Sequence, residues 1–560
     1  MHTSPALSPL RALLLSSALL LSCAHGRQQE PAPTAPPRQV RVRVLALNDF
    51  HGHLAPPPGS SGEVRIGGGP LKVQAGGAAY LARHLATLRA RAPQHTVVVA
   101  AGDLIGGTPL VSALFHDEPT IEAMNLLGLE LAAVGNHEFD EGATELKRMQ
   151  SGGCHPVDGC QDGTPFEGAR FQYLAANVLT EQGTPLLPPY AVRDFEGVKV
   201  AFIGMTLEGT PEIVDASGIA GLRFQDEVET VNALVPELKR QGVEAIVVLL
   251  HEGGTQAGTF DGCEGISGPI VAITQGLDRA VDALITGHTH QAYNCVIDGR
   301  RVTSAMSYGR LVTDLELVVD AATGDVVESS AHNLPVTRDV EGVPEVQALV
   351  DRYDAMAAPL RDRVLGRVTA RLQLPNARAW PSGESPLGNT IADAQLAATK
   401  DAGAQVAFMN PGGIRGELDE GDITYGEAFS VQPFGSTLVT VTLTGAQLHT
   451  LLELQWQEGT GPTRILHPSR GFSYTWKASA PVGRKVDPAS LRLHGQPVDP
   501  QGRYRVTVNS FLAGGGDGFR VLAEGTERRG GVVDVDALEA WLKAHSPLSP
   551  PETNRITRVE

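Results

Sequence analysis

Seven residues with metal-ligand side chains close short apolar runs in this chain. The runs are Leu45-Ala46-Leu47-Asn48-Asp49-Phe50-His51, Val98-Val99-Ala100-Ala101-Gly102-Asp103 and Ala133-Val134-Gly135-Asn136-His137-Glu138. Val247-Val248-Leu249-Leu250-His251 and Leu284-Ile285-Thr286-Gly287-His288-Thr289-His290 complete the set. The donors Asp49, His51, Asp103, Asn136, His251, His288 and His290 mix carboxylate, imidazole and amide oxygen. Such a set suits zinc, manganese, iron(II) or cobalt and does not suit a soft thiolate site. Seven donors are too many for one tetrahedral ion and fit two divalent ions sharing a carboxylate. Two such ions bring four positive charges and the aspartates return two, leaving about +2 at the site. That charge matches a phosphate dianion and makes hydroxide available from water near neutral pH.

These donors must be carried to one place. Strands in a parallel sheet point their C-terminal ends at the same edge, where open α/β sheets build their sites. From Val40 to Val336 short apolar strands alternate with helices, which is α/β patterning. Val97–Ala101, Leu131–Val134, Val198–Ile203, Ala245–Leu250 and Ala283–Thr286 read as core strands. Tyr80–Ala92 and Asp226–Arg240 read as helices, and Thr313–Val327 as a hairpin turning at Thr323-Gly324-Asp325. Taken singly the motifs have plainer explanations. A His-x-His occurs on surfaces, and Gly-Asp after a strand serves as a turn or a helix cap. Gly135-Asn136-His137-Glu138 is more specific, and the five motifs together, each after a strand, point to one centre. Segments 55–79 and 151–170 read as loop-rich insertions near the mouth of that centre.

The 560 residues predict more than one domain, and 42% hydrophobic content supports sizeable cores. A formal charge of −18 argues against a nucleic-acid polymer as partner while leaving room for a local basic pocket. Residues 1–22 read as an export signal with Arg11 before the apolar run Ala12–Leu21, too short to span a bilayer. Leu20-Leu21-Ser22-Cys23 resembles a bacterial lipoprotein box, which makes Cys23 the expected lipidation site and residues 23–39 a polar, Pro-rich tether to a membrane. An ordinary cleaved signal with an incidental cysteine is the alternative. Four other cysteines in an exported chain predict disulfides, Cys154–Cys160 and Cys263–Cys295, although three pairings are open. Nothing in the sequence sets the oligomeric state.

With these motifs in place, the chain resembles the calcineurin-like metallophosphoesterases, and within them the exported 5′-nucleotidase/UDP-sugar hydrolase family, from Val40 to Val559. The Asp-x-His motif of that family corresponds to Asp49 and His51, its Gly-Asp to Asp103, its Gly-Asn-His-Glu to Asn136 and His137, and its Gly-His-x-His to His288 and His290. The resemblance implies a four-layer α/β/β/α metallophosphoesterase domain over 40–340. It implies a helical linker over 341–365 and a second α/β substrate-binding domain over 366–560. It implies one ion on Asp49, His51, Asp103 and His290 and another on Asp103, Asn136, His251 and His288. His137 is then a catalytic group, paired with Asp140. The alternative for Asp140 is a helix cap.

The C-terminal half offers a nucleotide pocket. Asn410-Pro411-Gly412-Gly413-Ile414-Arg415 sets an arginine on a loop, and an Arg fork suits phosphate. Phe434, in Gln432-Pro433-Phe434-Gly435, and Phe511 are aromatics that can stack a base, unless they are core residues. By resemblance Arg415 holds phosphate, Phe434 and Phe511 hold the base, Asp517 holds ribose, and Asn389 and Asn410 line the pocket. The family carries further arginines before the Gly388-Asn389 pair, where this chain offers only Arg378, out of register. Its Gly-rich segment is also altered, reading Ser469-Arg470-Gly471, with Arg470 as a substitute. The expected reaction is hydrolysis of a nucleoside 5′-monophosphate to nucleoside and phosphate. The alternatives are 2′,3′-cyclic nucleotides or UDP-sugars as substrates, a thiosulfohydrolase, or a non-catalytic nucleotide-binding surface protein. The family also implies a hinge rotation that carries substrate to the metals.

Overall fold

The valine- and alanine-rich runs form two six-stranded sheets that face each other. In order, the first holds Val326–Pro335, Leu311–Asp320, Gln39–Leu47, Thr96–Ala101, Leu131–Ala133 and Gln172–Leu174. Its last four strands run parallel, Leu311–Asp320 is antiparallel to Gln39–Leu47, and Val326–Pro335 is antiparallel to Leu311–Asp320 at the sheet's edge. The second holds Ala292–Ile297, Arg300–Ala305, Ala283–Thr286, Ala245–His251, Val198–Thr206 and Tyr190–Phe195, with the middle four parallel. This computed structural model describes residues 38–560 except 68, 70, 377–378 and 457–462. The export signal, Cys23, nearly all of the tether and Arg378 lie outside the described residues.

Val42, Val44 and Val99 of the first sheet interdigitate with Phe202, Val247 and Leu249 of the second in one buried cluster. The strand Ala245–His251 is buried at every position. A strand covered on both faces reads as a continuous apolar run, and this one does. Helices close the outer faces. Ala78–Arg89 and Glu118–Leu127 pack on the first sheet, Glu227–Arg240 and Pro269–Gly276 on the second. Asp226 starts Glu227–Arg240 by accepting the Glu229 N–H at 2.7 Å. The four layers expected from the sequence are present.

The segment read as a linker is a helix, Pro344–Arg361, and it is less independent than its polar composition suggested. Val346, Val350, Tyr353 and Ala357 form a stripe at helical spacing that is buried in the core of the first sheet's helical layer. The Tyr353 hydroxyl donates to Glu122 or Asp162, each 3.2 Å away. The helix therefore belongs structurally to the N-terminal half.

The C-terminal half has a five-stranded sheet in the order His467–Pro468, Val406–Met409, Arg503–Asn509, Thr437–Thr444 and Thr526–Val533. A smaller four-stranded sheet, built around Phe472–Lys477, stands beside it. Helices Pro386–Ala398, Gly445–Glu453 and Asp534–Ala544 complete this half. Residues Gln39–Glu560 form one compact unit. Both disulfides expected from the sequence are formed, with Cα separations of 4.7 Å for Cys154–Cys160 and 5.1 Å for Cys263–Cys295.

Candidate active site

Three of the five ligand motifs leave the ends of their strands in an unusual backbone conformation. Asp49, His51, Asp103, His288 and His290 all have positive φ, between 46° and 68°. Left-handed backbone at a residue with a Cβ costs energy and clusters where function demands it. The turns bring the donor atoms of Asp49, His51 and His290 within 4.8 Å of one another, and those of Asp103, His251 and His288 likewise. Asp103 Oδ2 lies between the two groups, 3.6 Å from His51 Nε2 and 3.0 Å from His251 Nε2. Asn136 Oδ1 joins the second group at 3.1 Å from His288 Nδ1. All seven sequence-derived donors thus come together where the C-terminal ends of strands from both facing sheets meet, and not at the edge of a single sheet as the sequence suggested.

Close backbone approach makes this possible. A Cβ on Gly135 would stand 2.2 Å from Asp103 Oδ1, and one on Gly102 2.5 Å from His251 Nδ1. Glu138, whose role sequence reasoning missed, clamps two of the loops. Its buried carboxylate accepts the N–H groups of Asp103 at 2.9 Å, Leu104 at 2.7 Å and Gly135 at 2.6 Å. Burial, aided by the nearby Asp103 charge, pushes that carboxyl up to about 7. Tyr308, also missed, donates its N–H to the Asp49 carbonyl at 2.7 Å and stacks on His53.

The donors fit divalent cations. His51 Nδ1 donates to the Gly106 carbonyl at 2.8 Å, which leaves Nε2 as a lone-pair donor aimed inward. His251 Nδ1 does the same to Ala101 at 2.7 Å. His251 Nε2 lies close to Asp103 but without hydrogen-bond geometry, so it is a buried polar atom with no hydrogen-bond partner. Burial drives His51 and His290 down and His288 down to about 3, so these rings are neutral and able to ligate. At His251 burial acts the same way, but the Asp103 carboxylate prevails and lifts the ring to about 10. A cation there competes with a proton for Nε2.

His137 stands beside this cluster but outside both donor triangles: its N–H donates to Asp103 Oδ1 at 2.9 Å and its ring lies edge-on to His51 with centroids 5.1 Å apart. Its Nδ1 donates to Asp140 Oδ2 at 2.8 Å. Burial lowers its pKa, and the charges of Asp140 and Asp103 more than reverse that, for a net upward shift. The contact between His137 and Asp140 that the resemblance implied is therefore present. From the C-terminal half, Arg415 Nη2 comes within 3.4 Å of His51 Nε2. Phe434 stacks on His137 with centroids 5.5 Å apart and planes 12° apart. A cavity of about 360 Å³ opens beside Arg415, lined in part by Pro56, Thr108 and Tyr308.

Comparison with known proteins accords with this geometry. Residues 42–292 match the calcineurin-like phosphoesterase family, and residues 364–524 match the 5′-nucleotidase C-terminal domain. The chain belongs to the family that joins these two domains. It is 34% identical to endonuclease YhcR of Bacillus subtilis over 86% of its own length and 33% identical to cell wall protein Lmo0130 of Listeria monocytogenes, also over 86%. It spans only 38% and 64% of those relatives' lengths. A solved structure, that of a 5′-nucleotidase precursor from Thermus thermophilus, superposes with a TM-score of 0.76 at 28% identity. That match covers 93% of this chain and 99% of the other.

The second half, which carries the 5′-nucleotidase C-terminal domain, brings some of the expected substrate residues together and not others. Asp517 is 8% exposed, and its carboxylate accepts from Asn410 Nδ2 at 2.9 Å. Asn410 in turn accepts from Asn509 at 3.0 Å, so it positions Asp517. Arg464 Nε, unnoticed in the sequence, holds the other Asp517 oxygen at 3.2 Å. Phe511 packs partly against the core of this half, with its ring over Gly516. Asn389 is a correction. It is fully buried, and its amide donates to Glu384 at 2.6 Å and to the Glu552 carbonyl, so it lines no pocket. Arg470, offered as a substitute arginine, has its side chain 73% exposed with its guanidinium 3.9 Å from the Asp393 carboxylate.

Proposed function

We propose that this chain hydrolyses nucleotide phosphoesters, with nucleoside 5′-monophosphates as the principal substrates. The observation that carries the reading is the convergence of two donor sets, sharing Asp103, with an arginine reaching them from the second half. Two divalent cations, zinc in the first instance, would be held by Asp49, His51, Asp103 and His290 and by Asp103, Asn136, His251 and His288. When bound they polarise phosphoryl oxygens and lower the pKa of water at the site.

The chain's own groups do the rest. Arg415 offers a forked, permanently charged donor to the phosphate. His137, held by Asp140 through Nδ1 and biased toward its charged form by the surrounding carboxylates, donates a hydrogen bond from Nε2 to the phosphoryl or leaving oxygen. Phe434 and Phe511 provide flat apolar faces for a base, and Asp517 accepts from ribose hydroxyls. The backbone carbonyls of Gly106 and Ala101 fix which nitrogen His51 and His251 present. Rotation of the second half about Pro344–Arg361 would deliver substrate and release product.

Export and lipid attachment at Cys23 form part of the proposal, supported by the lipoprotein box and by disulfides suited to an oxidising compartment. The test of the activity is chromatographic identification of the products that metal-reconstituted protein forms from AMP, a 2′,3′-cyclic nucleotide, a UDP-sugar and DNA. AMP should be turned over fastest. Turnover of the cyclic nucleotide or the UDP-sugar alone would reassign the substrate, and cleavage of DNA alone would reject the reading.

A further inference from the structure

A second group of metal-ligating side chains lies apart from the strand-end centre. His116 has positive φ, 51°, and turns its ring between two carboxylates. Nδ1 donates to Glu141 Oε2 at 3.0 Å and Nε2 to Asp158 Oδ2 at 2.8 Å. His155 lies against the His116 ring, its Nδ1 accepting the Asp158 N–H at 3.2 Å and standing 3.3 Å from the same Asp158 oxygen. The two imidazoles stack with centroids 3.7 Å apart and planes 14° apart. Both side chains are mostly shielded, at 18% and 15% exposure.

His155 and Asp158 sit inside the small loop closed by the Cys154–Cys160 disulfide. The cysteines are consumed by that bond, so the donors left in the loop are an imidazole and a carboxylate. The loop is short and locked, which reduces the entropy lost in ordering ligands. Donor atoms of His116, His155 and Asp158 lie within 4.8 Å of one another. Two imidazoles and one carboxylate, with a place for water, are a zinc-type donor set. Glu141 behind His116 supplies the carboxylate–histidine relay that orients a metal-binding ring.

We propose that His116, His155 and Asp158 form a separate divalent-cation site, filled by zinc, with Glu141 positioning His116. The cation takes the place of the proton on His116 Nε2, which passes to solvent. An ion in the plane of both rings also requires the stack to open, so the His155 ring turns as the site fills. The bound ion would tie the disulfide loop to Glu141, the chain neighbour of Asp140. Its role is structural, and it does not depend on what the strand-end centre hydrolyses. Hydrogen bonding to Glu141, set against burial, raises His116 to about 9, so zinc uptake near neutral pH should be accompanied by proton release.

The test is zinc titration of the stripped full chain, reading zinc bound per chain, protons released and the thermal midpoint. Wild type should bind one equivalent more than His155→Ala or Asp158→Asn, with both variants retaining the strand-end cations and phosphate release. Glu141→Gln should weaken that extra equivalent about 10- to 100-fold. Anomalous diffraction at the zinc edge should place the ion between the two rings and Asp158. Equal zinc counts in wild type and both variants, or uptake of the extra equivalent only at millimolar zinc, would overturn the proposal. Should His155→Ala fail to fold, the Asp158→Asn count and the diffraction peak decide it.

Discussion

At the scale of single residues, the division of labour between ligand and catalyst turns on His137. It shares a motif with the ligand Asn136, yet its ring faces Asp140 and Phe434 while the ligand rings face Asp103 and Asp49. His137→Ala should therefore keep the strand-end cations and lower kcat by about 10²- to 10⁴-fold. Metal content by elemental analysis, measured beside kcat, checks this, and loss of metal would make His137 a ligand instead. The ligand residues were legible because their side-chain types are rare at strand ends and recur in one pattern. Glu138 was not, since a glutamate after Asn-His reads as a solvated turn until its three backbone donors are seen. Arg464 was hidden for a related reason. Its partner Asp517 is distant in the chain, and only the docking of segments reveals the ion pair. Asn389 misled because a Gly-Asn pair at a helix start looks the same whether the amide faces a pocket or a buried glutamate.

Among the elements, strands were read more faithfully than interfaces. Apolar runs such as Ala245–His251 fix strand position by composition, and alternation with helices fixes a parallel sheet. The stripe Val346, Val350, Tyr353 and Ala357 was present in the sequence too, but polar residues around it masked its burial. The helix Asp534–Ala544 carries a testable consequence. The Asp534 N–H donates to the Ser436 carbonyl at 2.8 Å, joining that helix to the loop that presents Phe434. Burial raises the Asp534 carboxyl from 3.8 to about 7, with backbone hydrogen bonds opposing. A raised acid is held protonated more tightly in the folded chain than in the unfolded one. Its stabilising contribution is complete below 3.8 and is lost as pH rises through about 7. Wild type should therefore lose stability relative to Asp534→Asn as pH rises from about 4 to about 8, by an amount on the order of a few kcal/mol. Urea unfolding of both proteins across that range measures it, and a constant difference would mean that burial does not hold the proton.

For the whole molecule, the central feature is that two halves complete one site. The N-terminal half supplies the donors and the His137–Asp140 dyad, and the C-terminal half brings Arg415 and Phe434 onto them. The resemblance implied that substrate held at Arg415 and Phe434 reaches the metals, but the contacts of those two residues with His51 and His137 were not legible, because docking depends on surface fit between segments far apart in the chain. Asp103 is where the claim concentrates, since its carboxylate stands between both donor sets. The most direct measurement is the return of AMP hydrolysis as divalent cations are added back to the metal-stripped chain, for wild type and Asp103→Asn. Wild type should regain activity in step with filling of the strand-end site, and Asp103→Asn should bind those cations weakly and stay inactive. Phosphate release by the stripped chain, or undiminished release by Asp103→Asn, would contradict the account.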